Sequence, residues 1–256
     1  MPQVTTGQAP LAPQRWYDRL QKLGRWTVMR VMMQAAVFSD VEGTLVDGSI
    51  PQIALAVGRT LRLFSAPKRL QVAVLERAGR LGPAKLERTL QLYALLRATA
   101  GMRPPEVARW TEALVPALTA RFKPGSWRLL QAHQAAGLPL VLISGGLHEG
   151  IARLASDLGA RGEGTKVHQR NGRYAGAVDG RVCQGVGKAE RARAILNELG
   201  CDPSQCYAYG DTASDITFLE LFGHPHAIDP DPRLAAEART RGWPIIDGRE
   251  GSTLDP

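Results

Sequence analysis

The spacing of apolar positions changes character twice along this chain. Residues 14–33 place Trp16, Leu20, Leu23 and Trp26 at helical intervals with Arg15, Arg19, Lys22 and Arg25 between them, which predicts an amphipathic helix. Residues 1–13, rich in Pro, Gln, Thr and Gly, read as a tail. The run Ala35-Ala36-Val37-Phe38-Ser39 then ends at Asp40 and reads as a short buried strand. Residues 58–123 return to helical periodicity with little β-branched clustering. Breaks at Ala66-Pro67, Gly82-Pro83 and Gly101 to Pro105 divide that stretch into three or four helices.

Beyond Pro124-Gly125 helix and strand alternate. Ser126–Ala136 predicts a helix, Leu138–Ile143 a strand ending at Ser144, and Leu147–Leu158 a helix stopped by Gly159. Thr165–Gln169 and Arg173–Ala177 flank Asn171-Gly172, a strong hairpin signal. Gly187–Leu199 is a helix, and Cys206–Tyr209 a strand ending at Gly210-Asp211. His226–Ile228 and Trp243–Ile246 bracket a helix at Arg233–Arg241. This alternation predicts an α/β fold with a doubly wound parallel sheet, interrupted by an inserted helical segment. The expected organisation is an N-terminal tail and helix over 1–34, a core over 35–57 and 124–256, and a helical cap over 58–123.

Composition narrows the function classes. The chain has 256 residues, 44% hydrophobic and 22% charged, which excludes disorder for most of its length. It holds no uninterrupted apolar run of spanning length and no signal-peptide pattern. Cys183, Cys201 and Cys206 form no CxxC pair, so a cytoplasmic protein without a disulfide framework or zinc site is expected. The formal charge of +8 is uneven: residues 58–123 carry +9 and residues 1–34 carry +4. Such segments attract anions, whether phosphorylated metabolite, phospholipid surface or nucleic acid. With aromatics at only 6% and no nucleic-acid motif, nucleic acid is not expected as a partner.

Four predicted strand ends carry the polar chemistry. They read FSDVEGTLV (Asp40, Glu42, Gly43, Thr44), LISGG (Ser144, Gly145, Gly146), GVGKAE (Lys188) and YGDTASD (Asp211, Asp215). In a doubly wound sheet the ligand lies beyond those ends. Paired carboxylates suit a hard cation such as magnesium. A hydroxyl, backbone amides and one lysine suit phosphate oxygens. Any one of these motifs alone fits an ordinary turn or solvated helix end. Four at four strand ends point to metal-assisted phosphoryl transfer.

In these motifs the chain resembles the haloacid dehalogenase superfamily of phosphatases, in the branch similar to phosphoserine phosphatase, from about Ala35 to Asp247. The resemblance implies a Mg2+-dependent phosphomonoesterase acting on a phosphorylated small molecule. It implies Asp40 as the nucleophile that forms an aspartyl-phosphate, and Glu42 as the acid/base group whose carbonyl also binds metal. It further implies Thr44, Ser144, Gly145 and Lys188 at the phosphate, and Asp40, Glu42, Asp211 and Asp215 at Mg2+. Other readings of the same chain are a phosphatase of lipid phosphates working at an anionic membrane, with residues 14–33 as its contact, and a non-catalytic phosphate-binding relative.

Three positions depart from that family's pattern. Glu42 stands where Asp is usual, which keeps a protonatable carboxyl. Ser214 replaces the usual Asn of the fourth motif. Ser49 stands where phosphoserine phosphatases carry the Glu that meets the substrate ammonium, so the expected substrate is an ester other than phosphoserine.

Overall fold

The structure, a computed structural model, describes residues 35–250. The tail and the amphipathic helix expected over 1–34 lie outside the described residues. A six-stranded parallel sheet forms the centre, in the order β3-β2-β1-β6-β7-β8. Its strands are β1 (Val37–Ser39), β2 (Leu140–Leu147), β3 (Arg161–Thr165), β6 (Tyr207–Gly210), β7 (His224–Ile228) and β8 (Ile245–Ile246). The hairpin strands β4 (Val167–Arg170) and β5 (Arg173–Val178) stand apart from it.

Strand β1 is central, and all three of its residues are fully buried. Alternate side chains feed two cores, as the strand period of two requires. Val37, Leu140, Leu142 and Tyr209 face one, while Phe38, Val141, Ile143 and Ala208 face the other. Both faces are covered by helices, the usual condition of a parallel sheet. The register pairs Ser39 with Leu142 on one side and with Tyr209 on the other. Chain direction across the sheet switches between β1 and β6, so the crevice beyond their ends opens above Asp40.

Five helices separate β1 from β2, and the first four are α1 (Ile50–Thr60), α2 (Ala66–Arg80), α3 (Ala84–Thr99) and α4 (Pro104–Thr119). The breaks read from the sequence fall at their junctions, and α1, α2 and α4 each carry proline in the first turn. Trp110 of α4 is buried against α1, donating from Nε1 to the Ala54 carbonyl at 2.8 Å. It also meets Phe64 edge-on at 5.4 Å. The remaining helices are α5 (Pro124–Ala135), α6 (His148–Asp157), α7 (Val186–Leu199), the short α8 (Ile216–Leu219) and α9 (Pro232–Arg241).

The predicted hairpin forms around Asn171 and Gly172, both with positive φ. One expected boundary is corrected and one strand was not expected. Strand β2 continues through Ser144, Gly145 and Gly146 to Leu147 rather than stopping at Ser144. Strand β3, Arg-Gly-Glu-Gly-Thr, carries no apolar alternation and escapes a sequence reading. Its glycines answer to packing instead. A Cβ at Gly162 would lie 2.5 Å from the Ile151 carbonyl oxygen, and one at Gly164 would lie 2.7 Å from that of Gly146. Those contacts let α6 and the end of β2 close onto the sheet edge. No helix among the described residues is long and apolar enough to cross a membrane.

Candidate active site

The chain leaves β1 at Asp40 and turns through Glu42-Gly43-Thr44 within hydrogen-bonding reach of β6. The Asp40 amide donates to the Tyr209 carbonyl at 2.9 Å, which continues the ladder one residue past the strand. Gly43 takes φ +80°, and a Cβ there would sit 1.9 Å from Asp211 Oδ2. Only glycine lets this loop press against the end of β6.

Asp40, Asp211 and Asp215 bring one carboxylate oxygen each to within 4.8 Å of one another. Lys188, at the start of α7, is buried among them. Its Nζ donates to Asp40 Oδ1 at 2.7 Å and to Asp215 Oδ1 at 2.5 Å. Asp215 is further fixed by the Thr212 amide at 3.2 Å and the Thr212 hydroxyl at 3.0 Å, both donating to its Oδ2. One lysine against three carboxylates leaves a buried excess of negative charge.

The electrostatics register that excess. Burial pushes the Asp40 carboxyl up to about 6, against the pull of Lys188 and with Asp215 adding to the rise. Burial, then Asp40 and Asp215, hold Asp211 well above the usual carboxylate range. Burial works against the Lys188 charge, but Asp215 and Asp40 outweigh it and keep the amine protonated. An all-oxygen set with uncompensated negative charge fits a hard divalent cation such as Mg2+, which would bind Asp40, Asp211 and Asp215.

Glu42 is half-buried and lines the same cleft. Burial pushes its carboxyl up to about 7, while the Ile50 amide works in the opposite direction. Ser144, Gly145 and Gly146 line the cleft as well. The Ser144 hydroxyl accepts from the Gly146 amide at 3.2 Å, and the Gly145 carbonyl accepts from Thr165 Oγ1 at 2.7 Å. Thr44 does not line the cleft. It is fully buried behind Asp211 and donates to Asp211 Oδ1 at 3.3 Å. The cleft encloses about 250 Å3. Seven of the eight residues singled out from sequence therefore line one cavity, and the eighth braces it.

Several participants carried no recognisable sequence signal. Lys123 is buried at the entry to α5, where it donates to the Gly43 carbonyl and, at 2.7 Å, to Asp229 Oδ2. Asp231 braces the fourth motif, since its carboxylate accepts from the Ala213 amide at 2.9 Å and caps α9 through Leu234 at 2.8 Å. Arg88 of α3 and Gln184 complete the cleft wall. Pairing with residues far along the chain is what singles these out, and spacing cannot show it.

Comparison with known proteins follows the same lines. A family model described as haloacid dehalogenase-like hydrolase matches residues 37–220. A phosphoserine phosphatase of Mycobacterium tuberculosis is 30% identical over 230 residues, covering 85% of this chain and 72% of that protein. The inhibition of morphological differentiation protein of Streptomyces azureus is 40% identical over 121 residues. That match takes in 46% of this chain and 43% of the relative, so the chain spans less than half the length of that protein. Among solved structures, a protein of unknown function from Bordetella pertussis Tohama I shares the fold at a TM-score of 0.63 and 24% identity, over 84% of this chain and 99% of that one. A phosphoserine phosphatase in apo form does so at a TM-score of 0.57 and 15% identity, over 85% and 95%.

Proposed function

The chain belongs to the haloacid dehalogenase-like hydrolases, and from that premise we propose that it is a Mg2+-dependent phosphatase of phosphorylated small molecules. The observation that supports this best is the meeting of Asp40, Asp211 and Asp215 within 4.8 Å around the Lys188 ammonium. Mg2+ bound there would neutralise charge on the phosphoryl oxygens and lower the barrier to attack by an anion. Helices α1 to α4 act as a cap over this cleft, to which they contribute Pro51, Arg88 and Leu92.

Each side chain then has a defined task. Lys188 holds Asp40 Oδ1 in place, which leaves the other carboxylate oxygen to attack phosphorus. As the Asp40–phosphorus bond forms, the bond from phosphorus to the alcohol oxygen breaks. Glu42 supplies the proton that this oxygen needs, and a carboxyl pushed up to about 7 is protonated often enough near neutrality to do so. In the second half-reaction the Glu42 carboxylate takes a proton from water, which attacks the phosphorus of the aspartyl-phosphate. Asp40 leaves as the carboxylate, inorganic phosphate is released, and Glu42 is again protonated. Ser144 and the Gly145 amide steady the phosphoryl oxygens throughout.

Turnover of p-nitrophenyl phosphate and a panel of phosphorylated metabolites by the full chain tests this reading. Activity should vanish with EDTA, return with Mg2+, and be absent in Asp40→Asn. Turnover near wild type in Asp40→Asn would sink the mechanism.

A further inference from the structure

The helical insertion also carries an apolar face that the described residues leave uncovered. Helix α2 buries Val72 and Gly79 on its inner side. On the opposite side, at helical spacing, Leu70 is 68% exposed, Val74 58%, and Leu81, at the turn into α3, 81%. Large apolar side chains aligned toward water along one helix mark a contact surface. No residue of α2 lines the cleft, so this face is separate from the catalytic site.

Charge selects its occupant. Arg69, Arg77 and Arg80 are exposed on the same helix beside the apolar stripe. Among the described residues Arg77 and Arg80 enter no ion pair. Residues 66–99, which form α2, the turn and α3, hold seven basic side chains against two acidic ones. Both acids are engaged, Glu76 with Arg59, and Glu87 as acceptor from Gln91 Nε2 at 3.0 Å. A second copy of the chain laid on this face would set arginine against arginine. Residues 14–33, with Arg15, Arg19, Lys22 and Arg25, match it no better. The fitting partner is anionic and receives a helical ridge without a matching groove. A bilayer interface has both properties, since leucine enters the acyl boundary while guanidinium groups stay level with lipid phosphates.

We propose that the outer face of α2 docks on an anionic phospholipid membrane, with Leu70, Val74 and Leu81 inserted and Arg69, Arg77 and Arg80 on lipid phosphates. This docking is independent of the phosphatase reading, because no group of the cleft takes part in it.

The full chain is sedimented with sucrose-loaded vesicles of phosphatidylcholine, with and without roughly one-third phosphatidylglycerol. Wild type should pellet with the anionic vesicles alone, and less as salt is raised. Leu70→Ser, Val74→Ser and Leu81→Ser combined should weaken partitioning by about a hundredfold. Arg77→Gln with Arg80→Gln should weaken it by roughly thirtyfold. These positions face water, so Tm in the absence of vesicles should stay at the wild-type value. A nitrobenzoxadiazole label reads insertion directly, since the native cysteines are buried. On Leu81→Cys it should brighten and shift to shorter wavelength with anionic vesicles, and on Asn197→Cys, exposed on α7, it should not. Wild-type binding that survives the serine changes places the contact elsewhere, in residues 14–33 for instance, and overturns the proposal. Equal pelleting with neutral vesicles, or a label at Leu81→Cys that does not respond, overturns it as well. Failure to pellet, with retention on immobilised polyglutamate that the arginine changes abolish, gives the face to an acidic protein instead.

Discussion

Glu42 Oε2 accepts a hydrogen bond from the Ile50 amide at 2.9 Å, and Ile50 is the first residue of α1. The carboxyl proposed to carry the catalytic proton is therefore also the partner of an open helix N-terminus. This contact ties the loop after β1 to the start of α1. It explains how a Glu, one methylene longer than the usual Asp, is kept in a defined place: its extra reach ends on a backbone donor. It also leaves the other carboxyl oxygen, Oε1, for the substrate.

Replacing that carboxyl tests its chemical role. Glu42→Gln still offers an oxygen to Ile50 but has no proton to cycle. Turnover of alkyl phosphates should fall by ~10²–10⁴-fold. The loss on p-nitrophenyl phosphate should be much smaller, because a phenolate of low pKa leaves without protonation. Equal losses on both esters would show that Glu42 acts through geometry alone.

The acidic cluster predicts a metal-dependent stability. Asp40 is pushed up to about 6 and Asp211 well above its ordinary value, so the folded state holds protons on these groups that the unfolded chain releases. Without metal, these two groups lower stability as pH rises from about 4 to 7. Mg2+ competes with those protons, so it should raise Tm more at pH 8 than at pH 5.5. Asp211→Asn removes one repelling charge and keeps an acceptor for Thr44. In EDTA at pH 8 it should melt a few degrees above wild type, about 1 kcal/mol of gain. Its response to Mg2+ should be much reduced. An Asp211→Asn protein that Mg2+ stabilises as strongly as wild type would remove Asp211 from the metal site.

What the sequence discloses and what it hides divide on physical grounds. Asp40, Ser144 and Asp211 were legible because each ends or interrupts an apolar run at a strand terminus, where a parallel sheet exposes its ligand-facing edge. Strand β3 was hidden because Gly162 and Gly164 are chosen for close backbone approach, which leaves no alternation to read. Lys123 looked like one more of the basic residues ending the helical insertion. Its partner Asp229 lies 106 residues further on, and no local pattern joins the two. At Ser49 the sequence revealed only a missing carboxylate. The structure adds that Gln91 occupies the hydroxyl.

Lys123 makes the role of such long-range pairing testable. It braces the Gly43 carbonyl beside Glu42 and pairs with Asp229 in a tight space, where a Cβ at Gly248 would lie 2.8 Å from Lys123 Cδ. Lys123→Met should cost roughly 1.5 kcal/mol, since it leaves the solvent-reaching Asp229 carboxylate and the Gly43 carbonyl without their charged donor. Adding Asp229→Asn should recover much of that stability. The double variant should still turn over slowly, because the Gly43 carbonyl remains without its donor. Recovery of kcat together with stability would reduce Lys123 to a structural residue.

The histidines on β7 and α5 predict a second dependence on pH. His226 is buried on β7, stacked on Tyr209 at 5.0 Å, with Nδ1 donating to the His224 carbonyl at 2.9 Å. The groups around it are Tyr207, Tyr209, His133 and His224, none of which is acidic. Burial pushes its imidazole down to about 4, opposed by the His224 carbonyl and reinforced by His133 and His224. Between pH 6.5 and about 4 the unfolded chain binds a proton here that the folded state refuses, so this group lowers stability as pH falls. The linkage amounts to roughly 3 kcal/mol across that window. The acidic cluster has the opposite sign in the same range, so the contribution must be read by difference. With Mg2+ saturating, urea unfolding of wild type should lose stability faster between pH 6.5 and 4.5 than that of His226→Phe. The phenyl ring keeps the stack on Tyr209 but cannot take up a proton. Parallel slopes for the two proteins would mean that His226 is protonated as readily in the folded state as in the unfolded one.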